Sequence, residues 1–109
     1  MQWGNTQFQQ QKGAIWIYKI ILRVKKIEGT CVHGHKVGDT IVIQGSRLVE
    51  GDPCLTALCS IWYRVYSMAR GGDFSSDIAK YKGWTKNITT VACPDDQNRV
   101  FFEIERVEQ

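Results

Sequence analysis

Residues 16–24 read WIYKIILRV, and this stretch decides the fold. Every second residue from Trp16 to Val24 is apolar, while the residues between them alternate isoleucine with lysine or arginine. An alternation with a period of two places each set of side chains on its own face of an extended strand. The stretch therefore predicts a long β-strand with one buried face and one mixed face.

Three further strands are predicted from similar patterns. Residues 40–43 follow a turn at 36–39 and are expected to pair with the first strand in an antiparallel hairpin. Residues 88–93 and 99–107 flank the turn-rich segment 94–98 and predict a second hairpin. The residues predicted to face inward on the last strand are Val100, Phe102 and Ile104.

One amphipathic helix is predicted from Pro53 to Arg70. Asp52 can cap the free amides at its start, proline suits the first helical position, and the glycines at 71 and 72 end it. The predicted apolar face consists of Leu55, Leu58, Trp62, Val65, Tyr66 and Ala69. Together these elements predict an α+β domain in which two β-hairpins form an antiparallel sheet packed against this helix.

The length of 109 residues fits a single domain, which we assign to residues 14–109. Residues 1–13 are rich in glutamine and lack periodicity, so they are predicted to be a tail or leader. The chain carries four tryptophans, four tyrosines and four phenylalanines, and one helix is little cover for so many large side chains. We therefore expect a homo-oligomer, in which a second copy covers the remaining aromatic surface.

Charge and hydropathy argue against nucleic-acid binding, a membrane span and secretion. The formal charge of +3 is spread along the chain, which disfavours nucleic-acid binding. The apolar stretch 14–22 is interrupted by Lys19 and is too short to span a membrane, and the basic residues after it are in the wrong order for a signal peptide. We therefore predict a cytoplasmic protein with free or metal-bound thiols.

The side chains suited to metal binding or nucleophilic chemistry are few and concentrated. Both histidines and one cysteine fall in residues 31–35, CVHGH. Cys31, Cys54 and Cys93 each lie at the end of a predicted element, and such ends often meet at one rim of a two-layer fold. With His35 they would supply three thiolates and one imidazole, a donor set for a tetrahedral metal site. The alternative is that Cys54 and Cys93 are small buried hydrophobic residues.

Two neighbours of this set are predicted to lie elsewhere. Gly34 gives the turn the freedom to separate the two imidazoles, so we expect His33 to point away from the shared space. Cys59 lies about 140° around the helix axis from Cys54, at 100° per residue. We therefore expect Cys59 to be part of the core.

The ordered series of these motifs resembles a small microbial protein family of unknown function. It consists of Cys31, the GHKVGD stretch 34–39, Cys54, the Arg-Gly-Gly at 70–72 and the Cys-Pro-Asp at 93–95. The resemblance covers about residues 17–107. Family members often have Cys-Pro at the helix start and Pro-Trp after the paired glycines, whereas this chain has Cys-Leu at 54–55 and Phe-Ser-Ser at 74–76. The resemblance implies that Cys31, His35, Cys54 and Cys93 form one site, and it implies no activity.

Three classes of function fit these residues. The first is binding of a transition metal (zinc, iron or copper) by Cys31, His35, Cys54 and Cys93. The second is a small thiol-dependent enzyme, with Cys54 or Cys31 as nucleophile and His35 as base, acting on a small electrophilic molecule. The third is a ligand-binding or assembly module without chemistry. The sequence contains no phosphate loop, Rossmann glycine set or hydrolase elbow, which disfavours nucleotide and serine chemistry.

Overall fold

The computed structural model describes residues 18–74 and 80–108. Its elements are, in chain order, β1 (Tyr18–Glu28), β2 (Thr40–Gln44), β3 (Arg47–Glu50), α1 (Leu55–Ala69), β4 (Ile88–Ala92) and β5 (Arg99–Glu108). The strands form one antiparallel sheet in the order β3-β2-β1-β5-β4. The predicted α+β fold is confirmed, with two hairpins and one main helix. The predicted tail, residues 1–13, and the start of the first predicted strand lie outside the described residues.

Strand β1 is the centre of the sheet, as its alternating sequence indicates. It pairs with β2 through residues as far as Arg23, which lies opposite Thr40. The pairing with β2 ends there, and the last part of β1 pairs with β5 alone as far as Glu28, with a register shift between Val24 and Lys26 in the β1–β5 ladder. On the side where β2 has ended, the connection that carries the CVHGH segment bonds to β1: the Val24 N–H donates to the Asp39 carbonyl, and the Gly38 N–H donates to the Val24 carbonyl.

The core lies between the sheet and the helix. Its strand residues, all at most 3% exposed, are Ile20, Leu22, Val24, Ile41, Ile43, Val100, Phe102 and Ile104. The three residues predicted to face inward on the last strand belong to this set, so that prediction is confirmed. Because these side chains come from the central strands, the core is continuous from one end of the helix to the other.

Helix α1 presents a different face to the sheet from the one predicted. Its buried residues are Ala57, Ile61, Val65, Met68 and Ala69. Leu55 and Tyr66, which were expected to be buried, are 72% and 41% exposed. The sequence contains two overlapping apolar stripes, and packing on the sheet selects the stripe that starts at Ala57. Cys59 lies about 150° from the centre of that stripe, at 100° per residue, and is exposed, so its predicted place in the core is wrong.

The sheet has one strand that was not predicted. Strand β3 pairs with β2 across the two-residue turn Gly45-Ser46, and all four of its residues are exposed. A strand with no buried face carries no alternation in its sequence, which explains why the pattern did not indicate it. Among the elements of the described segments, no helix has the length and hydropathy needed to cross a bilayer.

Candidate functional site

A cavity of about 370 Å³ opens where β1, β4 and β5 meet the start of α1. The side chains of the predicted set, Cys31, His35, Cys54 and Cys93, all line it. They share the wall with Val32, His33, Thr56, Ala57, Pro94, Asp95, Asn98 and Val100. Cys31 and Cys93, which are 62 positions apart in the chain, are thus brought to one rim of the fold.

The strand pairing explains why these residues meet. Cys31 follows the end of β1, where Glu28 lies opposite Arg99 at the start of β5. Cys93 directly follows β4 and its N–H donates to the Val100 carbonyl at 2.9 Å. Both cysteines therefore flank the first residues of β5. Cys54 is the N-cap residue of α1, which begins at Leu55, and this position places it at the same rim.

The helix begins two residues later than predicted. The sequence indicated Asp52 as its cap and Pro53 as its first residue, whereas Cys54 occupies the N-cap with an extended backbone. Its side chain makes no capping hydrogen bond. The Leu58 N–H donates to the Cys54 carbonyl at 2.9 Å, which closes the first helical turn. Cys54 therefore lies at the end of α1 where the backbone amides of the first turn have no partner within the helix.

His35 connects the turn after β1 to the start of the helix. Its ring is buried, and its Nε2 accepts a hydrogen bond from the backbone N–H of Cys54 at 3.2 Å. Its Nδ1 lies 3.3 Å from Oδ2 of Asp39. Because the amide can only donate and the carboxylate can only accept, these contacts define a neutral imidazole with its proton on Nδ1. Neither nitrogen is free to bind a metal in this arrangement.

Asp39 organises the turn that holds His35. Its Oδ2 accepts the Lys36 backbone N–H at 3.0 Å as well as the contact from His35. Hydrogen bonding from the Lys36 amide, and then from the His35 ring, holds the pKa of the Asp39 carboxyl below its ordinary value. The turn docks on β1 because the Val24 N–H donates to the Asp39 carbonyl at 3.0 Å. The sequence predicted only a turn at residues 36–39. The spacing of four residues between His35 and Asp39 is the signal that could have revealed their contact.

Replacing Asp39 with asparagine is expected to lower the thermal midpoint at neutral pH and to lose that effect in acid. The pKa of Asp39 is lower in the folded than in the unfolded chain, so its carboxylate stabilises the fold fully above about pH 4, the ordinary range for aspartate. The contribution is lost as the pH falls through the lowered pKa. Thermal melts of wild type and Asp39→Asn should therefore converge in acid. Asp96→Asn, at an exposed turn position, is the control, and a constant difference across the pH range would contradict the assignment.

The cysteines differ in their surroundings. All four are free, and the three in the cavity are partly buried. The sulfur of Cys93 accepts the Val100 N–H at 3.1 Å and lies 3.7 Å from the Asn98 carbonyl, to which its S–H can donate.

His33 also lines the cavity, contrary to the prediction that it would point elsewhere. Its ring centroid lies 4.8 Å from that of His35. Its Nε2 donates to the Asp52 carbonyl at 2.8 Å, and this bond draws the ring back towards the helix start. Gly34 does adopt a positive φ of 98°, but the turn it makes folds the two imidazoles together rather than apart.

The side chains of the cavity do not form a closed metal site. Among residues 18–74 and 80–108, no group of three or more His, Cys, Asp or Glu side chains is placed to hold a metal ion. No family model, curated protein or solved structure matches this chain. The resemblance to a microbial family of unknown function therefore stays a prediction.

Proposed function

We propose that this protein binds one thiophilic transition-metal ion in the cavity, through the thiolates of Cys31, Cys54 and Cys93. The observation that carries the proposal is that three free thiols from three different elements line one small cavity. Thiolates are the preferred ligands of zinc, copper(I) and iron in proteins. A reducing compartment such as the cytoplasm would keep these cysteines available as ligands.

The surroundings of two of the three cysteines support the proposal. Cys54 lies beside the free amides of the first turn of α1, and the Cys93 sulfur accepts the Val100 N–H. A cysteine side chain rotates about a single torsion next to the backbone, and metal binding requires such a rotation of the three sulfurs towards the centre of the cavity. Three thiolates leave one position of a tetrahedral ion for water or an external ligand.

His35 has a supporting role in this proposal. Its Nε2 holds the backbone N–H of Cys54, and its Nδ1 is held by Asp39. A histidine with both nitrogens engaged in this way orients the residue beside it, as the outer partners of metal ligands do. Direct ligation by His35 would require its ring to release Cys54.

The test is a cobalt(II) titration of the reduced protein, prepared without an affinity tag. The thiolate-to-cobalt absorption band should appear with a one-to-one endpoint, and stoichiometric addition of zinc should remove it. The single variants Cys31→Ser, Cys54→Ser and Cys93→Ser should each lose most of the band's intensity. Cys59→Ser is the matched control, because Cys59 is a free cysteine exposed on the far side of α1.

Two results would contradict metal binding by this set. One is the absence of a cobalt band in wild-type protein whose four thiols are shown to be free. The other is an equal loss in Cys59→Ser and in the cavity variants, which would indicate non-specific binding. Circular dichroism of each variant shows whether the fold is retained.

A thiol-dependent enzyme is the second candidate, and the position of Cys54 favours it. Its thiol lines the cavity at the N-cap of α1 and makes no capping hydrogen bond, so it is available as a nucleophile. His35 cannot act as its base while Nε2 accepts the Cys54 amide. This candidate predicts a metal-free protein in which iodoacetamide modifies Cys54 much faster than the exposed Cys59.

A further inference from the structure

A second cavity, of about 380 Å³, lies between α1 and β4 on the other side of Pro94 from the thiols. Among the described residues that line it, Arg64 is the only charged one. Among the described residues, none of the ion pairs includes Arg64, so its positive charge has no carboxylate partner there. An isolated guanidinium in a concave site is a feature of proteins that bind anions.

Aromatic rings surround this guanidinium. Its Cζ lies 4.8 Å from the ring centroids of both Phe74 and Trp84, and 5.6 Å from that of Tyr63. These contacts stabilise the cation but accept no strong hydrogen bond, so its N–H groups still need acceptors. Within the described chain the acceptor is the Thr90 carbonyl, at the long distance of 3.4 Å from Nη1.

The Nε atom of Arg64 also needs a hydrogen-bond acceptor. It is buried and has no hydrogen-bond partner in the part of the chain that the structure describes. A buried donor left unpaired costs free energy and is uncommon in folded proteins. An acidic ligand at the guanidinium would compensate this cost, since a carboxylate is the acceptor that best matches the fork of N–H groups.

The other residues in the wall favour a ligand whose acid group is attached to a planar ring. Tyr81 stacks on Trp84 with ring centroids 4.3 Å apart and is 50% exposed, while Tyr63 is 63% exposed. The indole of Trp84 is held in place because its Nε1 donates to Oγ1 of Thr90 at 2.8 Å. Exposed rings on a fixed support offer a surface on which another aromatic ring can stack.

We propose that this second cavity binds a small aromatic carboxylate, with its acid on Arg64 and its ring against Tyr63 or Tyr81. One guanidinium without another cation in the wall matches the single charge of a carboxylate rather than the nearly double charge of a phosphate. A volume of about 380 Å³ lies within the usual range for small-molecule sites. This site stands apart from the proposed metal site, whose cysteines line the other cavity.

The experiment is an NMR titration of the reduced full chain with three probes: benzoate, benzyl alcohol and acetate. Benzoate should shift the Trp84 indole N–H signal saturably. Benzyl alcohol, which lacks the charge, and acetate, which lacks the ring, should each bind at least about tenfold more weakly. This comparison needs no variant, so it tests the proposal even if changes at Arg64 affect folding.

Variants then locate the site. Arg64→Gln should weaken benzoate binding about tenfold, whereas Arg70→Gln should leave it unchanged. Arg70 is the matched control because it lies at the end of the same helix against a tyrosine ring, 5.3 Å from the centroid of Tyr66, and outside the cavity. Cys54→Ser should also bind benzoate normally. Equal binding of benzoate and benzyl alcohol, no shift of Trp84 with benzoate, or equal losses in the two arginine variants would overturn the proposal.

Discussion

Replacing Arg106 with alanine is expected to lower the free energy of unfolding by about 3–4 kcal/mol, since several hydrogen bonds to a charged group are lost inside the protein. Arg106 is 3% exposed although it lies on the core side of β5. Its guanidinium donates to the carbonyl of Met68 at 3.4 Å and to that of Gly72 at 2.5 Å, and so satisfies the end of α1. It also donates to Oδ1 of Asn87 at 3.1 Å.

Two further variants of Arg106 separate the effect of its charge on stability from the effect of its hydrogen-bond geometry. Arg106→Lys keeps the charge but not the fork of donors, so it should recover only part of the stability in urea unfolding. Arg106→Met keeps most of the apolar stem that packs beside Tyr18, whose ring centroid lies 4.7 Å from the guanidinium carbon. If Arg106→Ala and Arg106→Met both unfold like wild type, the guanidinium does not hold the helix end as the structure indicates.

Replacing His35 with alanine should cost about 2–3 kcal/mol of stability, because a buried ring and its hydrogen bonds are removed together. The variant leaves the Cys54 N–H without its acceptor and removes the ring whose edge lies against Phe102, with centroids 5.7 Å apart. We expect the connection between β1 and β2 to lose its anchor on the helix. Hydrogen exchange at the Cys54 and Lys36 amides should accelerate more than exchange at the centre of β1.

A double-mutant cycle identifies the role of His35. If His35 and Asp39 act as one unit, the loss in the double variant should be smaller than the sum of the losses in His35→Ala and Asp39→Asn. His33→Ala is the control, because its ring lies beside His35 but is only partly buried, and among the described residues its hydrogen bond is to Asp52. A cost for His33→Ala equal to that for His35→Ala would show that the second imidazole, and not the buried one, anchors the turn.

Local patterns in the sequence were enough to determine the fold class. The alternation of residues 16–24 identified the central strand, and that of Val100 to Ile104 identified its partner β5, since side chains of a strand point to opposite faces whatever packs on them. The positions of Cys31, Cys54 and Cys93 at the ends of predicted elements likewise indicated that they meet at one rim of the fold. Each of these inferences depends on residues adjacent in the chain.

Only the tertiary structure decided which face of α1 is buried and what His35 and Arg106 contact. The helix offered two apolar stripes of similar strength, and the choice depends on the shape of a sheet formed by strands from both halves of the chain. The same alternation that places Ile104 in the core places Arg106 there too, and a buried arginine is tolerated only because the end of α1 and Asn87 supply acceptors. His35 likewise meets the Cys54 amide across 19 residues. Such partners are set by distances in space, which a periodic pattern along the chain does not contain.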